Sequence, residues 1–128
     1  MLEYSYDHLH FKCSDPDVTA KFYVDCFGGK QLFKTLLNGV PVVGVRVGGQ
    51  TLLLSGKGPD DKIEGDMAGL RYGIDHWGIL VNDLDAAYAD LKAKGVEFVR
   101  EPTVLSEKLR IAFVNSPDNV RIEIMQKT

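Results

Sequence analysis

A short pattern recurs at about half the chain length, and this repeat restricts the possible folds more than any other feature. Residues 7–17 read DHLHFKCSDPD, and residues 75–85 read DHWGILVNDLD. Four positions coincide: Asp7 with Asp75, His8 with His76, Asp15 with Asp83 and Asp17 with Asp85. Both stretches run from a strand-like segment into a helix start. The chain therefore reads as one supersecondary unit used twice.

The rest of each half fits that reading. In the first copy, period-two patterning predicts a strand over Tyr4 to Cys13. Ser14 or Asp15 caps a helix whose first turn holds Pro16. Phe22, Tyr23, Cys26 and Phe27 recur at helical spacing until Gly28-Gly29 ends the run. Strands over 31–37, 40–47 and 50–55 follow, with Asn38-Gly39 as a tight hairpin turn and Gly48-Gly49 as the next. In the second copy the first strand covers Gly73 to Val81. Asn82 or Asp83 caps a helix that runs through Lys94 and stops at Gly95. Strands over 96–100, 109–115 and 120–126 complete it, the last two joined by the turn Ser116-Pro117-Asp118-Asn119. Residues 56–72, rich in glycine and charge, read as a linker. The expected fold is α+β: one domain, 1–128, of two tandem βαβββ modules (4–55 and 73–126).

Composition removes several function classes. A net charge of −3 over 128 residues lacks the basic field that nucleic acid requires. No segment is apolar for long enough to span a membrane. The start, MLEYSYDHLHFK, lacks the apolar core of a signal peptide, so the expected compartment is the cytoplasm. Cys13 and Cys26 form no C-x-x-C pair and read as buried free thiols.

Alternation across the strands then places the chemistry. Leu9, Phe11 and Cys13 share one face of the first strand, and Tyr6, His8, His10 and Lys12 share the other. Trp77, Ile79 and Val81 oppose Ile74, His76, Gly78 and Leu80. Ile122 and Ile124 oppose Arg121, Glu123 and Met125. The apolar faces suit the helices. The opposite faces carry His8, His76 and Glu123, each expected near mid-strand. An unpartnered charge in such a place is costly. One divalent ion relieves all three groups, and two imidazoles with one carboxylate suit Zn, Fe, Mn, Co or Ni. Three protein ligands leave positions open for substrate or water. The competing reading is a pair of structural strand histidines, with Glu123 paired to Arg121 or Arg46. The equivalent positions of the two histidines in a repeat favour the ion.

The double βαβββ unit, the Asp-His pair opening each copy and the run NSPDNVRIE (residues 115–123) resemble the vicinal oxygen chelate superfamily. That superfamily includes glyoxalase I, methylmalonyl-CoA epimerase, extradiol dioxygenases, fosfomycin-resistance enzymes and bleomycin-binding proteins. The resemblance covers nearly the whole chain. It implies a curved mixed sheet around a metal-centred cleft and a homodimer. The family's ligand positions fall on His8, His76 and Glu123. Aligning GQTLLLS with NVRIEIM puts Leu53 at the fourth, where glyoxalase I has Glu and the epimerase Gln. Leucine neither ligates a metal nor carries a proton, so three protein ligands are expected.

The activity this implies is that of a lyase, isomerase or epimerase whose small-molecule substrate chelates the metal through vicinal oxygens. The alternatives are an extradiol-type dioxygenase and a binding protein of the bleomycin-resistance kind. His10, two residues from His8 on the same face, is the candidate catalytic base; a rim histidine and a replacement ligand are the other readings of it. Arg46 is a candidate for a substrate carboxylate or phosphate, against the reading of a solvated strand arginine. Tyr6, Thr51, Ser55 and Met125 are expected to line the cleft. Tyr72 and the linker either close over it or merely connect the modules. Asp7 and Asp75 face away from the histidines and read as structural. Asp15 and Asp83 read as helix caps.

Overall fold

A computed structural model describes residues 1–65 and 68–128. Asp66 and Met67, inside the expected linker, lie outside the described residues. The chain divides into two compact units, Met1–Ile63 and Glu64–Thr128. The first holds β1 (Leu9–Lys12), α1 (Pro16–Phe27), β2 (Lys30–Leu37), β3 (Val40–Val47) and β4 (Gln50–Ser55). The second holds β5 (Trp77–Leu80), α2 (Leu84–Ala93), β6 (Phe98–Ser106), β7 (Leu109–Asn115) and β8 (Arg121–Lys127). Each unit is thus βαβββ with one four-stranded mixed sheet. The strand orders are β1-β4-β3-β2 and β5-β8-β7-β6. The first strand of each unit pairs in parallel with the last, and the other pairs are antiparallel.

Local chemistry explains these elements. The Asp15 side chain accepts from the backbone N–H groups of Asp17 and Val18, and Asp83 accepts from that of Ala86. Each cap satisfies donors that have no partner within the helix. Gly28 ends α1 in the left-handed region at φ 66°. Asn38 and Gly39 both take positive φ, which the tight turn between β2 and β3 requires. One face of each sheet is buried beneath its helix. In the first unit Val43, Val45, Leu52 and Leu54 are sealed with Tyr23 of α1; in the second, Val114, Ile122 and Ile124 are sealed with Leu84 of α2. Fully burying each such side chain contributes about 1.5–3 kcal/mol. Cys13 belongs to this buried set, whereas Cys26 is only half-buried; neither forms a disulfide.

Three boundaries differ from expectation. The first strand of each unit is shorter than its alternating pattern, starting at Leu9 and Trp77. The ladder of β1 opens at Leu9 opposite Leu52, and β4 begins at Gln50, after the turn at Gly48-Gly49. The ladder of β5 opens at Trp77 opposite Ile122, just after Asp118 and Asn119 turn the chain with positive φ. His8 and His76 thus sit immediately before their strands and not within them, although β4 and β8 each begin upstream of the first ladder pair. Conversely, β6 runs on to Ser106, past Pro102, with irregular register. It is an edge strand, where a missing N–H is tolerated. Residues just after β4 also pack on the first unit: Gly56 and Gly58 are buried, and Gly58 N–H donates to Asp61 Oδ2 at 2.8 Å. Among the described residues, no helix is long and apolar enough to cross a membrane.

Candidate metal centre

The second unit brings two of the three expected ligands together. His76 stands just before β5 and Glu123 is the third residue of β8, one register step along from the first β5–β8 pair. His76 Nε2 lies 3.3 Å from Glu123 Oε1, and the carboxylate side chain is only 16% exposed. The edge of the imidazole packs on Phe113, with ring centroids 5.0 Å apart and planes at 88°. Its other nitrogen, Nδ1, is 2.7 Å from Asp75 Oδ2. An ionised carboxylate only accepts, so Nδ1 carries the proton and donates. In the neutral ring this leaves a bare lone pair on Nε2, the nitrogen nearest Glu123. The hydrogen bond from His76 holds the Asp75 carboxyl below its ordinary range; His76 and Arg121 add Coulombic support, and partial desolvation opposes it.

This pair passes a simple test for a shared ion. Nitrogen and oxygen donors each about 2.1 Å from one ion stand about 3.0 Å apart at a right angle and about 3.4 Å apart at the tetrahedral angle. The observed 3.3 Å falls in that interval. Hydrogen bonding of a ligand's second nitrogen to a carboxylate is also how metal-bound histidines are oriented.

The first unit repeats half of this arrangement. His8 Nδ1 donates to Asp7 Oδ2 at 2.6 Å, again leaving Nε2 as the free acceptor. Among the described residues, no carboxylate stands at His8 Nε2 as Glu123 does at His76. In the register, His10 is opposite Leu53 as Gly78 is opposite Glu123, so Leu53 occupies the position of Glu123. Among the described residues, neither unit by itself gathers three His, Cys, Asp or Glu side chains able to hold an ion.

Asp7 and Asp75 differ from expectation in the direction they face. Alternation would turn them away from the histidines, but both lie outside the strands, where alternation does not apply. Their carboxylates bond the neighbouring imidazoles. The repeated Asp-His dipeptide was the available signal.

The remaining candidates are distributed as follows. His10 Nε2 lies 2.7 Å from Ser55 Oγ, and Lys12 Nζ donates to the same oxygen at 3.2 Å. Burial lowers the His10 pKa, helped by the charges of Lys12 and His8. Ser55 is 2% exposed, so it is occupied within this network and is not an open cleft wall. Arg46 Nη1 donates to Thr51 Oγ1 at 3.1 Å across the β3–β4 ladder. Met125 borders Gly78, where a Cβ would stand 3.4 Å from its sulfur. Tyr6 lies outside β1 and is 58% exposed.

Comparison with known proteins follows the same lines. A family model described as the Glyoxalase/Bleomycin resistance protein/Dioxygenase superfamily matches residues 5–124. A protein of Arabidopsis thaliana named "Probable lactoylglutathione lyase, chloroplastic" is 32% identical over 130 residues, covering 94% of this chain. The match covers 35% of that relative, so the chain spans about a third of its length. A glyoxalase family protein from Bacillus cereus superposes with a TM-score of 0.81 at 15% identity, over 95% of this chain and 93% of its own. A glyoxylase/bleomycin resistance protein/dioxygenase domain from Frankia sp. reaches 0.79 at 20% identity, over 99% and 100% of the two chains. A genomically encoded fosfomycin resistance protein from Listeria monocytogenes reaches 0.75 at 15% identity, over 99% and 96%. These three likenesses show the fold, and the family model covers nearly the entire chain. The protein therefore belongs to the glyoxalase/bleomycin resistance protein/dioxygenase superfamily.

Proposed function

We propose that this chain is a divalent-metal-dependent enzyme of the glyoxalase-like group, with His76 and Glu123 as ligands of the ion. Its substrate is a small molecule that binds through two neighbouring oxygens, and its reaction is of the lyase, isomerase or epimerase type. The observation that carries this reading is the His76–Glu123 donor pair at 3.3 Å, with His76 oriented by Asp75. The same orientation by a neighbouring carboxylate recurs at His8, the expected ligand of the first unit. The Arabidopsis relative's name supports lyase chemistry.

The chain's own groups have defined tasks on this reading. Asp75 and Asp7 fix the tautomer and ring orientation of the two imidazoles, and Phe113 fixes the plane of His76. Glu123 supplies the anionic donor. Arg46, steadied by Thr51, is the cation for an acidic substrate group. When bound, a divalent ion supplies Lewis-acid stabilisation of negative charge developing on substrate oxygen. Leucine at position 53 also suits a second reading, an extradiol-type dioxygenase.

The test is elemental analysis of protein purified without added metal, with isothermal titration of divalent ions. Wild-type protein is expected to hold one ion per chain. His76→Ala and Glu123→Ala are each expected to lose at least about 100-fold in affinity, more than a change to a supporting residue would cost. Equal affinity in the wild type and both variants would overturn the assignment. Oxygen consumption with a catechol would select the dioxygenase.

A further inference from the structure

The three histidines of the chain are held by different partners, and the difference has chemical content. At His8 and His76 the engaged nitrogen is Nδ1, which donates to a neighbouring carboxylate. At His10 the engaged nitrogen is Nε2, and its partner is the hydroxyl of Ser55 at 2.7 Å. A hydroxyl can donate or accept, so the other bonds to Ser55 Oγ decide the direction.

Those bonds are few. Ser55 is 2% exposed, which removes bulk water as a partner. Lys12 Nζ lies 3.2 Å from Ser55 Oγ, 3.0 Å from the Gly56 carbonyl and 3.6 Å from Asp61 Oδ2. An ammonium only donates, so Lys12 occupies a lone pair of Ser55. The one proton of the hydroxyl then needs an acceptor. Buried hydroxyls are rarely left without one, and the remaining neighbour is His10 Nε2. If His10 donated there instead, Ser55 would accept twice and its own proton would be stranded.

We propose that Ser55, held by Lys12, locks His10 in its Nδ1–H tautomer, so that the ring presents a hydrogen-bond donor and not a basic lone pair. Among the described residues Nδ1 has no protein partner, so it is available to a ligand. The ligand it suits is a carbonyl or anionic oxygen of the substrate. That last role rests on the metal-dependent reading above; the tautomer does not. Ser55 and Lys12 act as positioning residues. In the second unit the corresponding register positions are Gly78, Leu80 and Met125 in place of His10, Lys12 and Ser55, so no such network exists there.

The experiment is a long-range nitrogen–proton NMR correlation of the imidazoles. It uses metal-free, substrate-free protein at mildly alkaline pH, with signals assigned through single His→Gln variants. His10 is expected to show a protonated-type Nδ1 and a bare-type Nε2. Ser55→Ala is expected to move His10 toward Nε2–H, the form favoured by a free imidazole, and Ser55→Thr to keep the wild-type pattern. Lys12→Met frees Ser55 to accept and is expected to shift His10 the same way as Ser55→Ala. It also keeps the test decisive if Ser55→Ala does not fold. An Nε2–H form or an even mixture in the wild type would overturn the proposal, as would a pattern unchanged by Lys12→Met. The outcome is independent of metal stoichiometry, so failure of either reading is distinguishable from failure of the other.

Discussion

Across the sheet of the first unit, one row of side chains reads His10, Leu53, Gly44, Phe33. The same row in the second unit reads Gly78, Glu123, Phe113, Arg100. The scaffold beneath is alike: a capped helix over a βαβββ sheet with the same strand order. The row on the opposite face is not. The second unit has a carboxylate where the first has a leucine, and a glycine where the first has an imidazole. The aromatic ring also comes from a different strand. Phe113 of β7 reaches His76 directly, whereas Gly44 of β3 leaves room for the ring of Phe33 from the edge strand; a Cβ at position 44 would come within 2.3 Å of that ring. Two units with the same strand order therefore carry different chemistry. One row holds the His76–Glu123 pair, and the other adjoins the His10–Ser55–Lys12 hydrogen bonds.

The contrast can be broken at the carboxylates that orient His8 and His76. Asp75→Asn is expected to weaken divalent-ion affinity by about 10–100-fold, the usual cost of losing a supporting partner of a ligand. Asp7→Asn is expected to cost less, because its side chain is 91% exposed against 49% for Asp75. Titration calorimetry of both variants measures the difference. Equal losses would show that the two Asp-His pairs contribute alike.

A smaller effect is expected at Gly44. Gly44→Ala forces the Phe33 ring aside and should cost about 1 kcal/mol, at the low end for overpacking, because that ring is half-exposed on an edge strand and can swing. Denaturant unfolding of the double variant Gly44→Ala/Phe33→Ala should recover most of the loss caused by the alanine. No recovery would mean that the glycine serves the backbone and not the ring.

The smallest effect concerns the helix starts. Asp17 bonds Lys34 at 2.9 Å, while its repeat partner Asp85 takes two bonds from Arg110, at 2.8 and 3.2 Å. The hydrogen bonds from Arg110 hold the Asp85 carboxyl below its ordinary range. A carboxyl lowered in the folded state adds stability above its unfolded pKa, and that contribution is lost as pH falls through the folded value. Asp85→Asn should therefore lower Tm slightly at neutral pH, more than Asp17→Asn does. The difference from wild type should vanish in strong acid. A difference that persisted there would point to helix packing instead of the ion pair.

Much of this was legible in the residues themselves. Helix caps, the Asn38-Gly39 turn, the order of elements and the pairing of the two copies are written in local chemistry. So is the correspondence of Leu53 with Glu123, which the strand register reproduces. Each of these depends on a few neighbouring residues, or on two stretches that must fold alike. Strand ends were not legible, because β1 and β5 are strands only where they pair with β4 and β8, far along the chain. The ladders open at Leu9 and Trp77, so His8 and His76 stand outside them, where Asp7 and Asp75 bond their rings. The His10–Ser55–Lys12 network was equally hidden, since the parallel pairing of β1 with β4 joins residues more than forty positions apart. Sequence determined the repeated unit and the residue types it carries. Tertiary structure decided which nitrogen of each histidine is engaged, because that depends on which distant strand supplies its neighbour.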